Sequence, residues 1–441
     1  MSDKNVYPNK FNKLRSIYKY YIDAYRTLYQ LKTEKIEELK SIYKMIKTEL
    51  IDSMKYPPKT IIKDISHIIL YNNRYAKSYL FLTKLLSDEY HVSEVKDLTL
   101  ITNFLFYKEY GIKLDKSANF EEFKSENLEI HEENTIYRAI MNNDKERLII
   151  FTERDEFDKD QRLESSLYPF YYKGLSLLEL CCYHGAVDCF KLLRTKFNTE
   201  ITETCLEFSF LGRNKEIMSE CLKYQKPNDE CMFYAIISHN IDFVTFLMNE
   251  YNIKINLEYC GKYKNIESFL VYFDQTNDIN QCCFYSVMFN IPSLLEYFLS
   301  HCANINEKYK AERTALHIAT LYDCTETAEV LISNDANINE KDQYGVIALH
   351  YAARENSKEI AEVLISHGAN INEKDKCGRT ALHIATVRDS KETAEILISH
   401  GANINEKDVK GRTALFIAER KKVKNSLDFL HHMVQKNNVL T

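Results

Sequence analysis

No glycine-rich phosphate loop, His-Glu-x-x-His zinc helix, kinase signature or Gly-x-Ser-x-Gly nucleophile elbow occurs in this sequence. Those short motifs carry phosphate, metal and acyl chemistry. Their absence argues against an enzyme and leaves no catalytic residue, cofactor or metal to assign. No stretch approaches eighteen uninterrupted apolar residues, and the opening Met-Ser-Asp-Lys-Asn lacks the charged-then-apolar pattern of a signal peptide. No transmembrane segment is therefore expected, and a cytoplasmic or nuclear address follows. Positive charge is not in surplus either: 58 Lys and Arg face 64 Asp and Glu, for a net charge of −6. That balance argues against a dedicated nucleic-acid binder.

Cysteine is present, but not in metal or redox spacing. All twelve cysteines lie between Cys181 and Cys377, and none forms a Cys-x-x-Cys pair. Most sit where a helix would accept any small apolar residue, so they read as reduced core residues, with Cys377 at a turn tip the one candidate reactive thiol. Asp155, Asp158, Asp160 and Glu164 cluster without the spacing or glycine of a calcium loop and read as a solvated linker.

What the chain does have is repetition. Ala-Asn-Ile-Asn-Glu-Lys begins at Ala303, Ala336, Ala369 and Ala402, and Thr-Ala-Leu-His or a variant begins at Thr314, Ile347, Thr380 and Thr413. Every step is 33 residues, the mark of a solenoid whose units bury their apolar faces against one another. In the unit from Asp342, Ala348, Leu349, Ala352 and Ala353 fall on one face of a short helix. Ile360, Ala361, Val363, Leu364 and Ile365 supply a second helix. Gly368 stands just past that helix, where the chain turns left-handed. Asp375 and Gly378 frame a projecting turn, here called a finger, that leads into Thr380.

These residues resemble the ankyrin repeat family, with Ala381 where that family most often has proline. The likeness covers the last four units closely. The whole-chain arrangement, a helical leader followed by divergent and then regular repeats, is similar to the expanded ankyrin families of parasitic protists. The resemblance implies an all-α ankyrin-repeat solenoid preceded by an N-terminal helical domain. It also implies that His317, His350 and His383 hydrogen-bond within the repeat framework. A shared zinc is excluded on spacing, since side chains one helix-packing distance apart, roughly 8–10 Å, do not converge on bonds of about 2 Å. Departures predict irregularity: Tyr309 and Glu312 replace the finger's Asp and Gly, and Cys302 and Asp335 stand where later units have glycine.

The expected organisation is a helical N-terminal domain over 1–130, divergent ankyrin-like repeats over 131–308, and regular repeats with a C-terminal cap over 309–441. Residues 9 to about 55 contain no Gly or Pro, and Leu14, Tyr18, Tyr21, Tyr25 and Leu28, then Leu39, Tyr43, Ile46 and Leu50, recur at helical spacing. They predict one long amphipathic helix, packed on the repeats or forming a homodimeric coiled coil. Helix pairs are expected near Thr135, Gly174, Cys205, Cys231 and Cys282, with Ile266 to Phe273 as an added helix or lost repeat. Turns lacking glycine suggest trimmed fingers.

Function then rests on the surface. The resemblance places finger tips and first-helix ends on a concave groove, and those positions carry thirteen basic residues against one acidic residue, Glu355. The candidate partner-binding residues are Arg313, Tyr322, Tyr344, Arg354, Lys376, Arg379, Arg388, Lys410 and Arg412, because arginine and aromatic side chains dominate binding hot spots. The expected role is a non-catalytic protein-interaction scaffold or adaptor, with a protein partner bearing an acidic segment. The alternative is an oligomerising or targeting module whose basic groove binds an anionic polymer or membrane surface. Neighbouring Glu340, Glu373 and Glu406 stand ready to cancel part of that field.

Overall fold

The computed structural model describes residues 10–54, 56–96, 98–120, 134–169 and 174–421. Among them are 25 α-helices and one two-stranded antiparallel sheet. The chain divides into two compact units, Met1–Gln275 and Thr276–Thr441.

The first unit begins with a leader: α1 (Lys10–Ile17), α2 (Lys19–Tyr29), α3 (Ile36–Met45), α4 (Pro58–Ile68), α5 (Ala76–Glu89) and α6 (Leu100–Tyr110). The single long helix expected over 9–55 is instead interrupted. The backbone leaves helical geometry at Tyr18 and again at Gln30, residues 31–35 carry no regular structure, and α3 runs into a π-helical turn over Ile46–Asp52. The apolar face explains why. Leu14, Tyr18, Tyr21, Tyr25 and Leu28 are all buried, and breaking the rod lets that face wrap the rest of the leader. The Tyr25 hydroxyl donates to Asp64 at 2.7 Å, and the Tyr79 hydroxyl donates to the Leu28 carbonyl at 2.6 Å. The residues that would form a coiled-coil seam are thus buried within one chain.

The leader is fastened to five helix pairs: α7 (Ile136–Met141) with α8 (Lys145–Thr152), α9 (Leu177–His184) with α10 (Val187–Phe197), α11 (Glu203–Gly212) with α12 (Lys215–Cys221), α13 (Asp229–Ile237) with α14 (Ile241–Tyr251), and α15 (Leu257–Lys262) with α16 (Ile266–Thr276). The expected added helix is therefore half of a full pair, whose short first helix hid it from the periodicity. Each first helix opens on a side-chain cap, from Thr135, Ser176, Thr202, Asn228 and Asn256 in turn. Such caps satisfy amides that would otherwise be orphaned, at roughly 1 kcal/mol each. The caps at Ser176, Thr202 and Asn228 come 26 residues apart, which leaves no room for a finger.

Polar contacts and ring stacking hold the leader to these pairs. Glu267, nearly fully buried on α16, receives Arg15 at 2.6 Å and Arg26 at 2.5 Å. The Gln30 amide donates to the carbonyls of Ser238 and His239. The Tyr183 hydroxyl donates to the Leu70 carbonyl at 2.7 Å. His239 stacks on Tyr29 with ring centroids 4.2 Å apart, and burial pushes its pKa down to about 3.

The second unit holds α17 (Ile279–Ser286) with α18 (Pro292–Ser300), α19 (Ala315–Leu321) with α20 (Thr325–Ser333), α21 (Ala348–Glu355) with α22 (Lys358–Ser366), α23 (Ala381–Arg388) with α24 (Lys391–Ser399), and α25 (Ala414–Lys421). First helices pack on first helices, α17 to α19 to α21 to α23 to α25, and second helices form a parallel row, α18 to α20 to α22 to α24. Small residues set that spacing: Ala315, Ala319, Ala348, Ala352, Ala353, Ala381, Ala385, Ala414 and Ala418 are all buried. The residues expected to close the C-terminal cap, Leu427, Leu430, Met433 and Val434, lie outside the described residues.

Candidate partner-binding face of the repeat array

A finger is built from its aspartate. Asp375 Oδ1 accepts the backbone N–H groups of Cys377 and Arg379, both at 2.8 Å, and Asp342 and Asp408 hold their own fingers in the same way. Gly378 completes the turn at φ +71°, and a Cβ there would stand 2.8 Å from the Val409 amide, so both conformation and close approach require glycine. Successive fingers are joined through the backbone: Gln343 N–H to Ala311 O, Lys376 N–H to Tyr344 O, and Val409 N–H to Cys377 O, at 2.9–3.0 Å. The finger lacking aspartate and glycine is irregular as expected, with Ala311 and Glu312 both at positive φ.

The recurring histidines are the struts beneath the fingers. In His317, His350 and His383, Nδ1 accepts the N–H of the residue three positions earlier, at 3.1–3.3 Å. Nε2–H then donates to the carbonyl of Val346, Arg379 or Arg412 in the following repeat, at 3.0–3.1 Å. Both contacts need the neutral ring, and burial pushes all three pKa values down. Asparagines repeat the device on the other loop, where Asn306, Asn339 and Asn372 accept the N–H of Asn337, Asn370 and Asn403 in the next repeat. No group of three or more metal-ligating side chains exists among the described residues.

This framework decides which predicted site residues remain free. Arg379 pairs with Asp375 at 2.7 Å, and Arg412 pairs with Asp408 at 2.6 Å. Burial works against the Asp408 charge, yet the Arg412 hydrogen bonds hold its pKa down at about 2. Arg354 pairs with Glu355 at 2.6 Å, and Arg313 stands 4.0 Å from Asp342. Lys308, Lys341 and Lys374 each reach the glutamate of the next repeat, Glu340, Glu373 and Glu406, at 2.7–2.8 Å. Six of the thirteen basic residues of the stripe, Arg313, Lys341, Arg354, Lys374, Arg379 and Arg412, therefore face an acidic partner inside the framework. The glutamates were the ones the sequence singles out as able to cancel the field; the aspartate four residues before Arg379 and before Arg412 was also in the sequence, but counting charges one face at a time missed it.

Three predicted cations make no ion pair among the described residues: Lys376, Arg388 and Lys410, all exposed. Tyr344 is 54% exposed on its finger tip and Val409 is 70% exposed on the tip two repeats on. Tyr322 is half-buried at the end of α19. Phe416, at the position the earlier units give to histidine, is also exposed. The thiols divide as expected with one addition: Cys377 is exposed, and so is Cys302, at the φ +66° position that later units give to glycine.

Comparison with known families gives two matches. Residues 197–272 match a family described as a domain of unknown function (DUF3447). Residues 283–375 and 370–439 match the family described as ankyrin repeats in three copies. No curated protein matches the chain.

Proposed function

This chain carries ankyrin repeats over residues 283–439, a module of protein–protein interaction, and we propose that it is a non-catalytic scaffold whose finger face binds a protein with an acidic segment. One observation carries the reading. Where the framework engages four of the seven candidate cations, Lys376, Arg388 and Lys410 make no ion pair among the described residues, in the last repeats, beside the exposed Tyr344 and Val409. An aromatic anchor beside unpaired cations suits an acidic peptide with an apolar residue, with charge governing on-rate and apolar contact governing residence time. Among the described residues no helix is long and apolar enough to cross a membrane.

A photo-cross-linking phenylalanine analogue in place of Tyr344 tests the proposal. The expected result is covalent capture of a protein whose synthetic acidic segment competes with capture. If capture is instead competed only by polyphosphate or nucleic acid, and collapses steeply with added salt, the finger face binds an anionic polymer.

A further inference from the structure

The first unit contains a cavity with an unusual lining. It has a volume of about 270 Å³ and lies between the leader and the divergent repeats; its wall includes Lys32, Arg74, Arg213, Asn72, Asn214 and His184. Three of these are cations, and no Asp or Glu lines the space. Among the described residues none of the three makes an ion pair. Elsewhere in this unit the buried charge of Glu267 is answered by Arg15 and Arg26. The guanidinium of Arg213 has no such answer among the described residues.

Arg213 is the clearest case. It follows α11 at φ +57°, a left-handed position that a long side chain adopts at a cost. Its neighbour Gly212 is locked there, since a Cβ at that residue would meet the Cys182 carbonyl at 2.1 Å. The backbone therefore aims Arg213 toward the leader, where its Nη1 is sealed from solvent without an acceptor. The groups facing it, Tyr79 and Tyr75, are phenols rather than carboxylates, and burial lowers its pKa. Lys32 feels the same deficit: the charge of Arg213 first, then burial and Arg74, push its pKa down. A buried guanidinium without a counter-charge is costly, and converging cations add repulsion.

We infer that this cavity is a binding site for a small, soluble, multiply charged phosphate compound, held by Lys32, Arg74 and Arg213. Arginine's planar fork matches phosphate oxygens two at a time, while lysine contributes a point charge. Asn72 and Asn214 also line the wall, but both amides are already engaged: the Asn72 nitrogen donates to Leu31 and Tyr79, and Asn214 donates to the Gly185 carbonyl while its oxygen caps α12. The volume exceeds by severalfold the roughly 30 Å³ share of one water, so a phosphoryl group with part of its carrier fits. The ligand would bridge leader and repeats and supply the negative charge that this junction lacks.

The test is calorimetric titration of the full chain with inorganic pyrophosphate at low salt, beside the double variant Lys32→Ala with Arg74→Ala. The expected result is saturable binding near one per chain, weakened by about tenfold or more in the double variant. Without ligand, that variant should melt no lower than the parent, because it loses repulsion rather than a partner. Absence of saturable binding at millimolar pyrophosphate would overturn the inference. Equal affinity in parent and variant would do the same, since it would place the anion elsewhere on the surface. A variant that melts well below the parent without ligand also contradicts it, because these cations would then be structural.

Discussion

The Tyr351 hydroxyl donates to Asp342 Oδ2 at 2.8 Å, filling the place that an arginine fills in the next two repeats. Those repeats have Arg379 and Arg412 four residues after the finger aspartate and Ile384 and Ile417 on the helix. The repeat of Asp342 has Val346 and Tyr351 at the same positions, a paired departure. The preceding repeat shows the complement: Tyr309 replaces the aspartate while Arg313 is kept, and Arg313 lies 5.4 Å from the Tyr351 ring centroid and 4.0 Å from Asp342. Arg354 covers the ring from another direction at 5.3 Å. Burial first, and then the bond to Asp342, push the Tyr351 pKa up to about 12.

That exchange is testable by substitution. Tyr351→Phe leaves a buried carboxylate oxygen short of a donor and should cost about 1–2 kcal/mol. Adding Val346→Arg restores the pattern of the following repeats and should recover most of the loss. Urea denaturation of the two single variants and the double variant checks it, with a coupling near zero the contrary result.

Removing both cations from Glu267, by Arg15→Ala with Arg26→Ala, leaves a nearly buried carboxylate unpaired. The expected cost is about 3 kcal/mol, tempered because both arginines are partly exposed. Limited proteolysis should then cut within residues 10–30 before the repeats. Unchanged protease resistance would show that the leader is held by its tyrosines alone.

Acid should weaken the first unit through His239. Its folded pKa, about 3, lies below the ordinary histidine value, so the folded state binds fewer protons than the unfolded state. Stability is full above about pH 6.5 and falls as pH drops toward 3, by roughly 3 kcal/mol at pH 4. His317, His350 and His383 act in the same direction in the second unit. Melting temperatures from pH 8 to pH 4 should fall less steeply for His239→Gln than for the parent. Parallel curves would remove His239 from the acid response.

Thiol labelling probes the packing directly. Cys302 and Cys377 should react rapidly in the native protein, and the ten buried cysteines only after denaturation. A third fast thiol would mark a repeat that opens locally.

The repeats were legible because a strict 33-residue period exposes which positions face a neighbour, down to the histidine struts and the irregular finger at Tyr309. The leader was less so. Leu14 to Leu50 follows one helical pattern, and nothing local marks the breaks at Tyr18 and Gln30, which arise because tertiary burial of Tyr21 and Tyr25 outweighs helix continuity. The pair α15–α16 escaped for a related reason, since six residues are too few to show a period. The candidate site was half legible: residue types and face were readable, but neutralisation of Arg379 by Asp375 and of Arg412 by Asp408 depends on side-chain geometry. Reversing the charge at Arg379 would set two carboxylates together and unfold its finger.

The most direct measurement is therefore the affinity of an acidic partner segment for the full chain and for the triple variant Lys376→Glu, Arg388→Glu and Lys410→Glu, whose parent side chains make no ion pair among the described residues. With circular dichroism and melting temperature unchanged, the triple variant should bind at least about tenfold more weakly, chiefly through slower association, and the difference should shrink with added salt. Equal affinity in parent and variant would contradict the finger face as the binding surface.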